Sequence, residues 1–236
     1  MDKSAENKTP IKNRKRFAKV LNIVIISVAV VVLAIECVLF YQRSYLTPFW
    51  VNGQSMYPTL NLHAKDALGH ELDENSGGAA PGYTVDYGVM DTHKNAIKHI
   101  KRFDIIVTKY SKNDTSNKIK RVLGLPGETI SFTVTGKGNE HNGDLYINGK
   151  LIEQPIADEF VIAGEYPTQV YTLASDEYFV CGDNRGHSSD SRKEGPILGT
   201  WITGKVVALC GTATVYLDKD SYYDVKNVKY TWPRYL

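Results

Sequence analysis

The sequence predicts a mainly β domain behind a single N-terminal transmembrane helix. Three observations carry this. One apolar run near the start is long enough to cross a bilayer. Short runs rich in Val, Ile, Tyr and Thr follow it, each bounded by Gly, Asn, Asp or Pro. No second long amphipathic helix pattern occurs after the apolar run.

The apolar run is VLNIVIISVAVVVLAIECVLFY, residues 20–41. A helix needs roughly 20 residues to cross a hydrocarbon core of ~30 Å. A cleaved secretory signal would have a shorter apolar core of about 7–15 residues and a small-x-small site after it. The stretch from Glu36 to Phe49 offers no such site, so the run reads as an uncleaved anchor. Glu36 lies near the outer end, where a carboxylate reaches headgroups or water. Lys3, Lys8, Lys12, Arg14, Lys15, Arg16 and Lys19 precede the run, and Arg43 is the only base in the dozen residues after it. The positive-inside bias then keeps a basic tail, residues 1–19, in the cytoplasm and sends residues 42–236 across the membrane. The expected protein is single-pass, in the cell membrane, with an extracytoplasmic domain. A formal net charge of +2 gives no argument for a nucleic-acid partner.

Beyond residue 42 the strand-like runs are DIIVTKY, ETISFTV, DLYING, EYFVCG, GKVVALC and TATVYL. Asn142-Gly143 and Asn148-Gly149 are turn signals, and the second sits between LYI and KLI as a hairpin requires. Residues 64–100 are polar, rich in Gly around positions 77–82 and without clear period. They read as a loop-rich excursion carrying a hairpin or a short helix. Cys181 and Cys210 both stand in apolar strand contexts and read as unpaired core thiols, although a disulfide is open to them outside the cell.

Three segments carry chemistry. In WVNGQSMYPTL, residues 50–60, Gly53 lets a substrate backbone approach two places before Ser55, and Pro58 stiffens the chain beyond the serine. Ser55 falls 14 residues past the apolar run, no more than about 50 Å of extended chain. Tyr45, Phe49 and Trp50 in between suit a lipid interface. In KIKRVLGLPGETI, residues 118–130, strand alternation puts Lys118, Lys120 and Val122 on one face and Ile119, Arg121 and Leu123 on the other. Lys120 thereby projects among aliphatic side chains, where desolvation favours the neutral amine a general base must be. In GDNRGHSSDSR, residues 182–192, two aspartates, two arginines and three serines crowd one loop, more than a self-bonded turn requires.

Together these segments resemble the type I signal peptidases. Gly53-Gln54-Ser55-Met56-Tyr57-Pro58-Thr59 is similar to that family's serine segment. Lys120-Arg121-Val122-Leu123-Gly124-Leu125-Pro126-Gly127-Glu128 is similar to its lysine segment, with Glu for the usual Asp. Gly182 to Arg192 matches every fixed position of its last segment. A weaker segment, Arg102-Phe103-Asp104-Ile105-Ile106, has Phe103 where the family has glycine. The single anchor and Gly53 look like the Gram-positive branch.

The resemblance implies a signal-peptidase-type β domain and a membrane-bound serine endopeptidase. It would cleave N-terminal signal peptides from exported preproteins by a Ser/Lys dyad. Ser55 is the implied nucleophile and Lys120 the base. Ser188 would hydrogen-bond and orient the lysine amine. Asp190 and Arg192 would form an ion pair behind it, with Asp183 and Arg121 in the same supporting layer. The backbone N–H of Ser55, beside Gly53, would serve the oxyanion. The partners are secretory preproteins and the lipid bilayer; no cofactor is implied.

Two rival readings use the same residues. A non-catalytic signal-peptidase-like chaperone for pilus or other surface polymers would be expected to have lost the serine or the lysine, and both are present. A self-cleaving repressor-type peptidase would be soluble and carry a DNA-binding module, against which the anchor speaks. The six histidines, His63, His70, His93, His99, His141 and His187, show no paired ligand spacing; they read as surface residues, and no metal site is expected.

Overall fold

A computed structural model describes residues 9–135, 142–156, 170–220 and 222–236. The chain divides into two compact units, Met1–Tyr45 and Leu46–Leu236. In the first unit the described residues form one helix, α1 (Thr9–Tyr45). It is longer than the apolar run at both ends because no helix breaker stands between Pro10 and Pro48. Pro10 itself is tolerated in the first turn, where its missing N–H would have no partner anyway. The apolar side chains from Val20 to Phe40 are exposed all round the helix, the pattern of a segment that meets lipid rather than a protein core. Residues 1–8 of the expected tail lie outside the described residues.

The second unit is mainly β, as expected. Its strands are β1 (Leu46–Trp50), β2 (Thr84–Asp91), β3 (Ile105–Thr108), β4 (Lys118–Gly124), β5 (Thr129–Thr135) and β6 (Asn142–Ile147). They continue as β7 (Lys150–Ile152), β8 (Val170–Thr172), β9 (Glu177–Cys181), β10 (Ile197–Leu198), β11 (Ile202–Leu217) and β12 (Tyr223–Tyr235). Two short helices, α2 (Lys94–Lys98) and α3 (Ser191–Glu194), complete the described elements together with single 3-10 turns. The larger sheet runs β1-β2-β11-β3-β4-β9-β10, with β12 added to β11; the smaller runs β7-β6-β5-β8. Every pairing among the described strands is antiparallel.

Two cores position the site. Phe49, Val51, Met56, Leu60, Met90, Val107 and Leu209 form one inside the larger sheet. Leu123, Ile130, Phe132, Leu145, Ile147, Phe179 and Cys181 form the other, joining β4 and β9 to the smaller sheet. Cys181 is a buried free thiol and Cys210 a half-buried one.

Several sequence expectations change. GKVVALC and TATVYL are one continuous strand, β11, whose edges are bonded by β2, β3 and β12. Gly211 sits inside it without ending it, because Lys229 of β12 crosses so close that a Cβ there would meet its carbonyl at 2.0 Å. Asn142-Gly143 opens β6 rather than forming a turn. Asn148-Gly149 is the expected hairpin turn, with φ of 51° and 77°, the left-handed pair that a two-residue hairpin needs. Residues 64–100 hold the short helix α2, but also β2, which joins β1 to β11 in the larger sheet. Its TVDYGVMD pattern, with Asp86 and Gly88 inside it, hides the strand from a periodicity reading.

Candidate active site

The Ser55 segment is a turn pinned by its flanks. Met56 and Leu60 are buried in the core of the larger sheet, so the backbone between them is drawn down while Ser55 stays at the surface of a groove. The carbonyls of this segment are bonded from behind. Asn61 Nδ2 donates to the carbonyls of Val51 and Gly53 at 3.1 and 3.3 Å. Asn184 Nδ2 donates to the Gln54 carbonyl at 3.2 Å, and Asn184 N–H to the Ser55 carbonyl at 3.1 Å. Asn61 is itself locked to Asp86 by two reciprocal bonds, Asn61 N–H to Oδ2 at 2.7 Å and Asp86 N–H to Asn61 Oδ1 at 2.8 Å. Its φ of 61° is one that asparagine tolerates. Burial pushes the Asp86 carboxyl up, against the hydrogen bond from Asn61.

Lys120 enters from β4. Its Nζ donates to Ser55 Oγ at 2.7 Å, joining residues 65 positions apart. The side chain is 4% exposed. Burial pushes the ammonium down from 10.5 to about 8, with the nearby Asp190 carboxylate opposing and Lys118 and Arg192 assisting. Val122, on the same face of β4, is fully buried, and the groups that act on the amine are Asp190, Cys181, Lys118 and Arg192.

Behind the pair stand two carboxylate–guanidinium forks. Arg121 grips Asp183 through Nε and Nη2 at 2.7 and 2.6 Å and donates Nη1 to the Phe103 carbonyl at 2.9 Å. Arg192 grips Asp190 through Nε and Nη2 at 2.8 and 2.9 Å. Burial alone would raise the Asp190 carboxyl, but Arg192 and the Gly182 N–H hold it below the ordinary range. Asp190 also caps α3 by accepting from Arg192 N–H. Gly182 has to be glycine: a Cβ there would lie 2.3 Å from both Ser188 Oγ and the Ser55 carbonyl oxygen.

The groove in front of Ser55 has a volume of about 630 Å³. One wall is the chain from Thr47 to Gly53 and the other is Ser116 to Lys120. Both walls are strand edges left open among the described residues. β1 ends the sheet, and β4 pairs with β9 only from Arg121 onward. Gly53 lines this groove, and a Cβ at Gly53 would meet nothing of the protein within 4 Å.

Comparison with known proteins identifies the family. A family model described as signal peptidase, peptidase S26, matches residues 21–210. The chain belongs to the S26 signal peptidases. Signal peptidase I V of Bacillus subtilis (strain 168) is 32% identical over 172 residues, 67% of this chain and 95% of that relative. Signal peptidase I U of the same organism is 30% identical over 205 residues, 80% of this chain and 88% of its own length. A crystal structure of a signal peptidase I from Enterococcus faecalis V583 is 29% identical, covering 45% of this chain and 95% of that one. Its TM-score of 0.32 carries no weight on the fold.

In this S26 peptidase, Ser55, Lys120, Gly53, Arg121, Asp183, Asp190 and Arg192 gather as the motifs imply. Ser188 does not do what was expected of it. Its hydroxyl is buried beside Gly182 and the Asp190 carboxylate, which it helps to hold below the ordinary range, rather than bonded to the Lys120 amine. Asn61, Asp86, Asn184 and Arg185 are the residues that sequence reasoning missed. Asn184 and Arg185 lay in plain view inside the last motif. Arg185, fully buried, donates Nε to the Gly182 carbonyl at 2.9 Å. Asn61 and Asp86 gave no signal, since they act through backbone atoms 8–25 residues away. Phe103, where the family has glycine, has φ of 71°, a conformation glycine enters freely and a bulky residue does not. Its ring packs against the second core, which offsets that strain. Glu128, in place of Asp, reaches Arg102 in a fork at 2.5 and 3.0 Å. Among the described residues no His, Cys, Asp or Glu cluster could hold a metal.

Proposed function

We propose that Ser55 and Lys120 are the dyad with which this signal peptidase cleaves signal peptides from exported preproteins. One observation carries the assignment: a buried lysine amine, pushed down to about 8, at 2.7 Å from a serine hydroxyl that opens onto a groove. The neutral amine takes the Ser55 proton as Oγ attacks the scissile carbonyl, and returns it to the leaving amine. The Ser55 backbone N–H serves the oxyanion, with Gly53 leaving the approach clear. Asp190–Arg192 and Asp183–Arg121 hold the segments that carry the pair.

The substrate is read as an extended strand, laid between the open edges of β1 and β4 and bonded to their backbones. Its small side chains beside the scissile bond fit a groove walled by Phe49, Val51, Met90, Val107 and Ile119. Family membership supports membrane association, and α1 supplies a helix long and apolar enough to cross. The basic residues ahead of residue 20 support a cytoplasmic N-terminus and an extracytoplasmic catalytic unit. The test is direct. Ser55→Ala and Lys120→Ala, purified in detergent, are each expected to leave a preprotein uncleaved while the parent yields one new N-terminus. Processing by either variant refutes the dyad.

A further inference from the structure

Among the residues that line the groove in front of Ser55, only Lys118 and Lys120 are charged, and none is acidic. Lys120 is the base of the proposed dyad. Lys118 has no part in that chemistry, and apolar walls that read small side chains have no use for its charge. Strand alternation puts it on the same face of β4 as Lys120, roughly 7 Å away along the strand. It is half-buried. Its Nζ donates to Ser116 Oγ, and that hydroxyl donates in turn to Asp114 Oδ1 at 2.9 Å. The Ser116 N–H and hydroxyl hold the Asp114 carboxyl low more than Lys118 does. The serine therefore aims the ammonium while standing between it and the carboxylate. Among the described residues Lys118 forms no salt bridge. An ammonium carries three donors, and Ser116 takes one of them.

We infer that Lys118 is a specificity-determining residue: its ammonium selects substrates that carry an acidic rather than a basic side chain close to the scissile bond. The open edge of β4 supplies the geometry. β3 bonds one edge of that strand from Lys118 to Arg121, and β9 bonds the other only from Arg121 onward. A substrate strand beside residues 118–120 advances at the same rise as β4. The residue that reaches Lys118 therefore stands about two positions from the carbonyl that Ser55 attacks. A carboxylate there meets the donors that Ser116 leaves over. A lysine or arginine there meets like charge, with no acid in the groove wall to offset it. A half-exposed ion pair is worth up to about fivefold in binding, so exchanging attraction for repulsion should change kcat/KM by about tenfold. The inference rests on the groove being the substrate site, as proposed above, and adds a charge preference to it.

The test uses the full chain in detergent at low salt and a synthetic peptide with one cleavage site. Residues on both sides of the cleaved bond are replaced, one at a time, by Asp or by Lys. The readout is the ratio of kcat/KM for the Asp peptide to that for the Lys peptide at the same position. This ratio cancels any general loss of turnover, including one caused by removing a charged neighbour from Lys120. The parent is expected to favour Asp by about tenfold at one position or more. Lys118→Met should bring that ratio towards one, Lys118→Glu should reverse it, and Lys118→Arg should keep it. If the parent cleaves the unsubstituted peptide but shows no charge preference at any position, the inference is overturned and the dyad reading stands. A preference that persists in Lys118→Met overturns it equally. So does a rise in KM common to all peptides with the ratio unchanged, since the ammonium would then hold only substrate backbone. A parent that cleaves no peptide at all overturns both readings.

Discussion

Replacing Lys120 by methionine should kill the enzyme and stabilise it. The lysine is 4% exposed, and its ammonium sits at about 8 in the folded chain against 10.5 when free. That drop corresponds to about 3 kcal/mol by which the fold disfavours the charged form. Below pH 8 both folded and unfolded chains hold the proton, so the whole cost falls on the fold. Between about 8 and 10.5 the folded amine is neutral while the unfolded one is still charged, and the cost shrinks as pH rises. Above 10.5 neither state is charged and the cost is gone. Methionine has a similar length and no charge to desolvate. At pH 7 Lys120→Met should therefore gain about 3 kcal/mol, or roughly 6–12 °C in Tm for a domain of this size. The assay is thermal unfolding of both proteins in the same detergent at pH 7, 9 and 10.5, with preprotein cleavage beside it. The gap should close with pH. A variant no more stable than the parent at pH 7, or a gap independent of pH, would refute the claim that Lys120 is held against its charge.

The same amine sets the pH–rate profile: kcat/KM should rise about tenfold per pH unit on the acid side and level off above pH 8, measured on a synthetic cleavage-site peptide. Gly182→Ala would push a methyl against the Ser55 carbonyl oxygen at 2.3 Å. If the Ser55 segment yields by even part of an ångström, kcat should fall about 100-fold with the chain still folded by circular dichroism. Asp183→Asn strands the Arg121 guanidinium in a buried site and should cost about 3–5 kcal/mol in denaturant unfolding. An Asp183→Asn variant of parental stability would show the fork to be incidental.

Much of this was legible in the sequence, and the boundary has physical causes. Features that depend on near neighbours were readable. The apolar run and the Asn148-Gly149 turn both follow from patterns of a few residues. The gathering of Ser55, Lys120 and the Asp190 loop followed only from resemblance, since nothing local brings together groups 65 and more positions apart. The features that went unread depend on non-local bonding. β2 was concealed because Asp86 sits mid-strand, its carboxylate spent on Asn61. Gly88 beside it is required by the approach of the Ala208 carbonyl, which a Cβ would meet at 2.5 Å. Ser188 illustrates the opposite case: a motif names a residue, while packing decides where its hydroxyl points.

The arrangement of charge explains how one amine is left neutral among so many cations. Arg121, Arg185 and Arg192 are all buried within the layer that carries the pair. Two of them spend their charge on Asp183 and Asp190 through bidentate forks. Arg185 instead donates to the Gly182 carbonyl and to Gln154 Oε1 at 2.6 Å. Asp190 is thereby claimed by Arg192 and by the Gly182 N–H before Lys120 can use it. Were Asp190 free, its carboxylate would hold the ammonium charged, as its opposing influence on Lys120 already indicates. Asp190–Arg192 thus does more than brace a loop. By occupying this nearby carboxylate it lets desolvation win at position 120, which is the condition for a lysine to act as a base near neutral pH.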